Sequence, residues 1–352
     1  MRMRMRRMRY TGRTGHAWRA TVLAAVTLTV FLAAGAAGFA ELAGAEGVGA
    51  RALGMGDAYV AVADDETAVY WNPAGITDIQ HFSVVPAVTV STDKWTDFKD
   101  AADAIQKGQT PPPITNRQAD VSALAGIVTS RFAVSELVTT ATKLSLNGED
   151  VALSGGGLTA TVITVAVPFR TPFVDLGTIA VGANVKFIQA YSGDVAYNFT
   201  TKAFAGSPMS QGSGLGFDLG VLARLSRLVQ VGLTVRDAYT TVAGIQLPQQ
   251  IDGGVAVKVP FVGTRFAASL QGYRPQSNTY DSIHVGAEQS LLGLVNVRAG
   301  AYANKELGTL GSIWYTAGAG LSVGPAVVDL AVASDDLLAS RAKVAVSAGL
   351  RF

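Results

Sequence analysis

Residues 216–236 read GFDLGVLARLSRLVQVGLTVR. Phe217, Leu219, Val221, Ala223 and Leu225 alternate with Asp218, Gly220, Leu222 and Arg224; beyond Ser226-Arg227, Val229, Val231, Leu233 and Val235 alternate with Gln230, Gly232, Thr234 and Arg236. A period of two belongs to a strand with unlike faces, and two such runs across a two-residue connection predict an antiparallel hairpin. The rhythm continues in both directions. Ile251, Val255 and Val257 face away from Asp252, Gly254, Ala256 and Lys258, and Phe266, Ala268 and Leu270 from Arg265, Ala267 and Ser269. Ile283, Val285 and Ala287 interleave with His284, Gly286 and Glu288, and Val295, Val297 and Ala299 with Asn296, Arg298 and Gly300. Most runs reach the ~9–11 residues that a tilted strand needs to cross a bilayer, longer than the usual sandwich strand of about 5–6.

Composition separates a lipid-facing barrel from a water-soluble sheet with the same period. Of 352 residues 49% are apolar and only 15% charged, and the mean hydropathy is +0.30. Soluble domains carry about 25% charged residues, so this chain is short of groups to coat a globule in water. Beyond residue 41 no stretch approaches the ~20 apolar residues of a membrane helix. The expected fold is all-β, a transmembrane antiparallel barrel with short connections at 226–227 and 324–325 and longer polar ones at 203–213 and 238–249. Tyr191, Tyr197, Tyr239, Tyr273, Tyr302, Trp314 and Tyr315 stand near strand ends, where an interfacial girdle is expected. The stretch 130–157 is the least regular.

The first forty residues differ from the rest. Residues 1–19 hold seven arginines and no acid, 20–37 are almost unbroken Ala, Val, Leu and Phe, and Gly38 and Ala40 are small. This order predicts a secretory signal peptide over 1–40, a retained anchor being the alternative. Seven of the 28 basic residues lie there, and the 21 that remain against 26 acids leave the mature chain at −5. Nucleic-acid binding therefore loses its compositional support.

At the other end Val344, Val346, Ala348, Leu350 and Phe352 alternate with Lys343, Ala345, Ser347, Gly349 and Arg351. A strand ending on an aromatic resembles the C-terminal assembly signal of bacterial outer-membrane barrels, with Phe352 as the signal residue and the barrel-assembly machinery as the implied partner. The most specific segment is 47–76, GVGARALGMGDAYVAVADDETAVYWNPAGI. It resembles the opening signature of FadL-like outer-membrane proteins of the PorV/PorQ type, carried by Arg51, Gly54, Gly56, Asp64, Asp65, Tyr70, Trp71, Asn72 and Pro73; Asp57 stands where that family has a further glycine. The resemblance implies a barrel of about fourteen strands over 81–352, closed inside by a hatch formed from 41–80. It also implies a bacterial outer-membrane location, lipid contact and passage of small hydrophobic molecules. PorV-like members instead handle secreted proteins, and TraF-like envelope proteins share parts of the signature.

Charge is consistent with a filled lumen. Residues 41–80 carry seven acids (Glu41, Glu46, Asp57, Asp64, Asp65, Glu66 and Asp78) and one base, Arg51. The inward positions carry Lys186, Arg224, Arg236, Lys258, Arg265, Arg298, Lys343 and Arg351 against Asp218, Asp252, Glu288 and Asp329. Asp64, Asp65 and Glu66 are expected to face wall arginines or to lie just beneath them. Trp95, Phe98, Ala102 and Ile105 recur at helical spacing, which predicts an amphipathic helix over 95–107.

Chemistry has little support. With no cysteine, thiol catalysis and Cys-ligated zinc are excluded. His81 and His284 are the histidines left after leader removal, and His284 is expected in the lumen beside Glu288. The runs at 155–157 and 212–220 lack the Lys-Ser/Thr of a phosphate loop. No enzyme activity, cofactor or metal is expected. Intact-mass analysis of envelope-purified protein should show a chain beginning at or near Glu41; a mass that retains the arginines of 1–19 would refute the leader.

Overall fold

A computed structural model describes residues 47–352 except 81, 108, 110, 149, 171–176, 199–200, 202, 207–209, 276, 278, 307–308 and 336–340. The expected leader, Glu41, Glu46 and His81 lie outside the described residues. The strands are β1 (Ser83–Thr92), β2 (Ile114–Val128), β3 (Phe132–Asn147), β4 (Asp150–Arg170), β5 (Thr178–Asn198), β6 (Ala203–Gly206), β7 (Ser210–Arg224) and β8 (Val229–Val242). They continue as β9 (Ile245–Gln246), β10 (Gln250–Val259), β11 (Thr264–Tyr273), β12 (Ser282–Leu291), β13 (Val295–Glu306), β14 (Thr309–Val323), β15 (Ala326–Ser334) and β16 (Ala342–Arg351). Each wall strand pairs antiparallel with its neighbours in chain order, β8 pairs β10, and β16 pairs β1, so the ring is closed. β6 and β9 only edge β5 and β8, which leaves a fourteen-stranded barrel.

Closure removes every free sheet edge, the condition for a sheet to stand in lipid. The alternation sets the faces. On β15 and β16 Leu330, Val332, Val346 and Leu350 are exposed outward while Ala331, Ala333, Ala345 and Ser347 are buried inward. The outer face is an apolar belt of the kind an acyl environment accommodates.

The structure departs from the sequence expectation in three places. The 203–213 and 238–249 connections are shorter than expected, because β7 begins at Ser210 and β8 continues to Val242. The stretch 130–157 is regular: β3 and β4 pair in continuous register from Phe132/Val165 to Asn147/Asp150. Tyr302 and Trp314 do not join a girdle. They lie on the inward rows of β13 and β14, 3% and 8% exposed, stacked with each other and with His284. The helix α1 (Trp95–Gln106) forms between β1 and β2 where the spacing predicts it, with Trp95 exposed and Ala101 buried against Ile114 and Leu146. Arg117 ties Asp97 of this helix to β2 at 2.8 Å.

Residues 47–79 are almost entirely buried and touch the inner wall on every side. They form the short helices Ala50–Gly54 and Ala68–Trp71 and the 3-10 turn Pro73–Asp78. The first helix packs on β13 to β16 and β1, and the 3-10 turn on β4, β5 and β7. Between them the chain passes against inward glycines. A Cβ on Gly232, Gly286 or Gly300 would overlap the backbone of Val60, Met55 or Gly56, and one on Gly182 the backbone at Pro73.

The barrel closes on its final residue. Phe352 N–H donates to Phe82 O at 2.8 Å, Phe82 N–H donates to Phe352 O at 3.2 Å, and the two rings lie 6.3 Å apart. Deleting Phe352, or replacing it with Asp, should lower the heat-modifiable, folded fraction in membranes far more than total synthesis; equal folded amounts would refute its part in closure.

Candidate functional site

The inner wall and the segment it encloses share a chain of six alternating charges. Arg265 meets Asp64 at 2.8 Å, Asp64 meets Arg51 at 2.6 Å, and Arg51 grips Glu288 through two bonds of 2.7 and 2.8 Å. Glu288 also accepts from Arg298 at 2.7 Å, and Arg298 reaches Asp329 at 2.6 Å. Three cations and three anions balance, and the two-pronged Arg51–Glu288 geometry is the strongest form such a contact takes. Burial pushes the Asp64 carboxyl up, and the guanidiniums of Arg51 and Arg265 more than reverse this, so it lies below the ordinary carboxylate range. Its folded value is thus below its unfolded one. The contribution is present at neutral pH and is lost only as pH falls through that depressed value.

Glu66 bonds Arg351 at 2.8 Å, and Asp78 pairs with Arg224. Asp65 differs from its neighbours: it accepts from Tyr59 Oη and Thr67 Oγ1, both at 2.6 Å, and its cation is Arg51 of its own segment rather than a wall arginine. The remaining signature residues shape the backbone. Trp71 Nε1 donates to Val48 O at 2.8 Å, and Asn72 Nδ2 donates to Val60 O and to Val221 O of β7. Pro73 opens the 3-10 turn, Gly54 O accepts from Thr316, and Asp57, at φ 57°, offers its carbonyl to Gln271. His284 donates from Nδ1 to Gly56 O at 2.7 Å, and its Nε2 lies 2.6 Å from Ser282 Oγ, so both ring nitrogens are engaged.

A cavity of about 90 Å³ lies above the second short helix. Leu124, Leu137, Leu158, Val162, Ile188 and Leu247 form its apolar side, with Val69 and Tyr70 also lining it. Lys186, held at 2.7 Å by both Asp218 and Asp237, and Arg236, held at 2.6 Å by Asp252, form the polar side. Arg236 also stacks 4.9 Å over the Tyr70 ring. Lys343 lies 5.0 Å from the rings of both Tyr302 and Trp314, on a different part of the wall. Lys258 is exposed at the end of β10 and outside these clusters.

Beside the cavity the β2–β3 ladder is held by side chains. Val121 N–H donates to Thr140 Oγ1 at 2.9 Å, Thr142 N–H donates to Asp120 Oδ1 at 3.0 Å, and Thr142 Oγ1 bonds Ala119 O. Thr139, next in chain to Thr140, lines the cavity. Across on β4 stand Gly155, Gly156 and Gly157, opposite Thr142, Ala141 and Thr140; Gly155 takes φ +146°, and a Cβ there would strike Ala141 O. Sequence reading weighed the glycine triplet only as a phosphate loop and passed over the threonines, whose register opposite it is visible only in the sheet.

No protein-family model matches the chain, nor does any curated protein. Solved structures do. The toluene transporter TbuX of Ralstonia pickettii superposes with a TM-score of 0.57 at 13% identity, over 88% of this chain and 99% of that one. The P. putida toluene transporter TodX gives 0.52 at 11% identity, over 87% and 99%, and a Pseudomonas aeruginosa FadL homologue gives 0.51 at 11%, over 88% and 99%. At such identities the likeness is one of fold: the chain has the barrel architecture of FadL-type outer-membrane channels.

Proposed function

We propose that this chain is a bacterial outer-membrane channel for small hydrophobic compounds, with residues 47–79 as its hatch and no catalytic activity. The observation that carries the reading is the cavity, apolar on one side, inside a barrel whose outer face is apolar. Ligand sites are commonly concave, mostly apolar and furnished with a few oriented polar groups. The transport named for TbuX and TodX supports the same class of cargo. The opening signature favours the PorV/PorQ branch, whose secretion role is the competing outcome of the test below.

In this reading the hatch stays in place. Glycine contacts and buried ion pairs hold it on all sides, so the cargo leaves through the wall, at the side-chain-bridged seam between β2 and β3. An apolar molecule gains more by moving into lipid there than by crossing the polar charges beneath it. Replacing Asp64 and Glu66 together with Lys sets like charges against Arg51, Arg265 and Arg351. Breaking one buried pair costs about 3–5 kcal/mol. The variant should show raised ion conductance in planar bilayers, and conductance equal to the parent would refute the plug.

The ligand test uses the purified mature barrel, an apolar fluorescent dye, and toluene or a long-chain fatty acid as competitor. Dye should bind and be displaced, and Leu158→Asn or Leu247→Ser should weaken binding roughly tenfold, about 1.4 kcal/mol. No binding of any apolar probe, with exported proteins co-purifying, would move the assignment to the secretion role.

A further inference from the structure

The connections at the short-turn end of the barrel are unlike one another. The turn after β2 is Thr129-Ser130-Arg131 and the one after β7 has Ser226-Arg227 at its tip. The turns after β10 and β12 are Pro260-Phe261-Val262-Gly263 and Leu291-Leu292-Gly293-Leu294, without a charge or hydroxyl. Phe261 is 105% exposed and Leu292 96%, and Val262, Leu291, Leu294 and Val323 of the next turn are exposed as well. Strands β10 to β15 are successive neighbours, so these turns form one apolar arc of the rim.

Local structure does not explain these residues. Phe261 has φ 69° and Leu292 φ 54°, the left-handed region in which bulky side chains are rare. Leu292-Gly293 occupies the central pair of a tight hairpin, where Asn-Gly is the favoured choice. An Asn there would relieve the backbone and suit water, and the chain places Leu instead. Four carbonyls at the edges of these turns are paired. Val262 O accepts from Gln289 Nε2 at 2.6 Å, Gly263 O from Ser290 N–H at 3.0 Å, Leu291 O from Leu294 N–H at 3.1 Å and Leu294 O from Ser322 N–H at 2.8 Å.

We propose that this arc is a lipid anchor: the Phe261 and Leu292 turns are sunk among the acyl chains of the periplasmic leaflet, while the Ser130 and Arg227 turns stand in water, so that the barrel sits deeper on its β10–β13 side. The apolar belt continues without a break into these turns through the outward residues Val257, Phe266, Val295 and Val297. The inference rests on the membrane reading above.

The chain has no cysteine, so single reporters can be placed without background. Phe261→Cys, Leu292→Cys, Arg227→Cys and the mid-strand outward Val285→Cys, each nitroxide-labelled, are reconstituted in phosphatidylethanolamine/phosphatidylglycerol vesicles and retained as samples if heat-modifiable. Accessibility to oxygen and to a water-soluble nickel chelate is then measured. Labels at 261 and 292 should favour oxygen as the label at 285 does, and the label at 227 should favour nickel. Nickel-favoured labels at 261 and 292 with an oxygen-favoured label at 285 would overturn the anchor and leave the membrane barrel standing. Labels at 261 and 292 shielded from both reagents would overturn it in favour of a protein contact. A nickel-favoured label at 285 would refute the membrane reading itself.

Discussion

A ring of fourteen strands encloses more space than its own inward side chains can fill, since about eight strands is the size at which side chains alone suffice. The organisation of this molecule follows from how that space is occupied. Residues 47–79 occupy it as compact chain rather than as side chains reaching across, which requires backbone to lie against backbone. Inward glycines on β5, β8, β12 and β13 permit this approach. Arg51 then serves as the electrostatic centre, bound to Asp64 within the segment and to Glu288 on the wall. A buried cation with a partner on each side is tolerable, and either partner alone would leave the other charge uncompensated.

The location of the cavity beside Tyr70 matters. Its apolar side lies against β2 to β5, where threonine hydroxyls and Asp120 bond across the β2–β3 ladder and three glycines face the threonines from β4. Side-chain bridges can exchange partners at less cost than a regular ladder, which loses several backbone bonds together. Void and adaptable wall therefore coincide on this side of the barrel.

The alternation of faces was legible because a strand buried on one side cannot shift by one residue without turning its whole apolar row inward. That constraint wrote the parity of Arg236, Arg265, Glu288, Arg298 and Arg351 plainly into the chain. Tyr302 and Trp314 were misread because position near a strand end was weighed above parity: Tyr302 continues the row of Arg298 and Gly300. Pairing across the lumen was less legible. Asp65, between two carboxylates that do reach wall arginines, turns to Tyr59 and Thr67, and no spacing rule distinguishes it from them. The glycines of the wall looked like weak strand formers until the chain they face was in view, and the threonine run at 139–142 reads as ordinary β-propensity until the missing backbone bonds are seen.

The internal segment ends at Asp78, and Phe82 already pairs with the last residue of the chain. Only residues 79–81 separate the contents of the barrel from its closing seam. The filling of the lumen is therefore tied by three residues to the seam at which the ring closes, so a displacement of one pulls directly on the other.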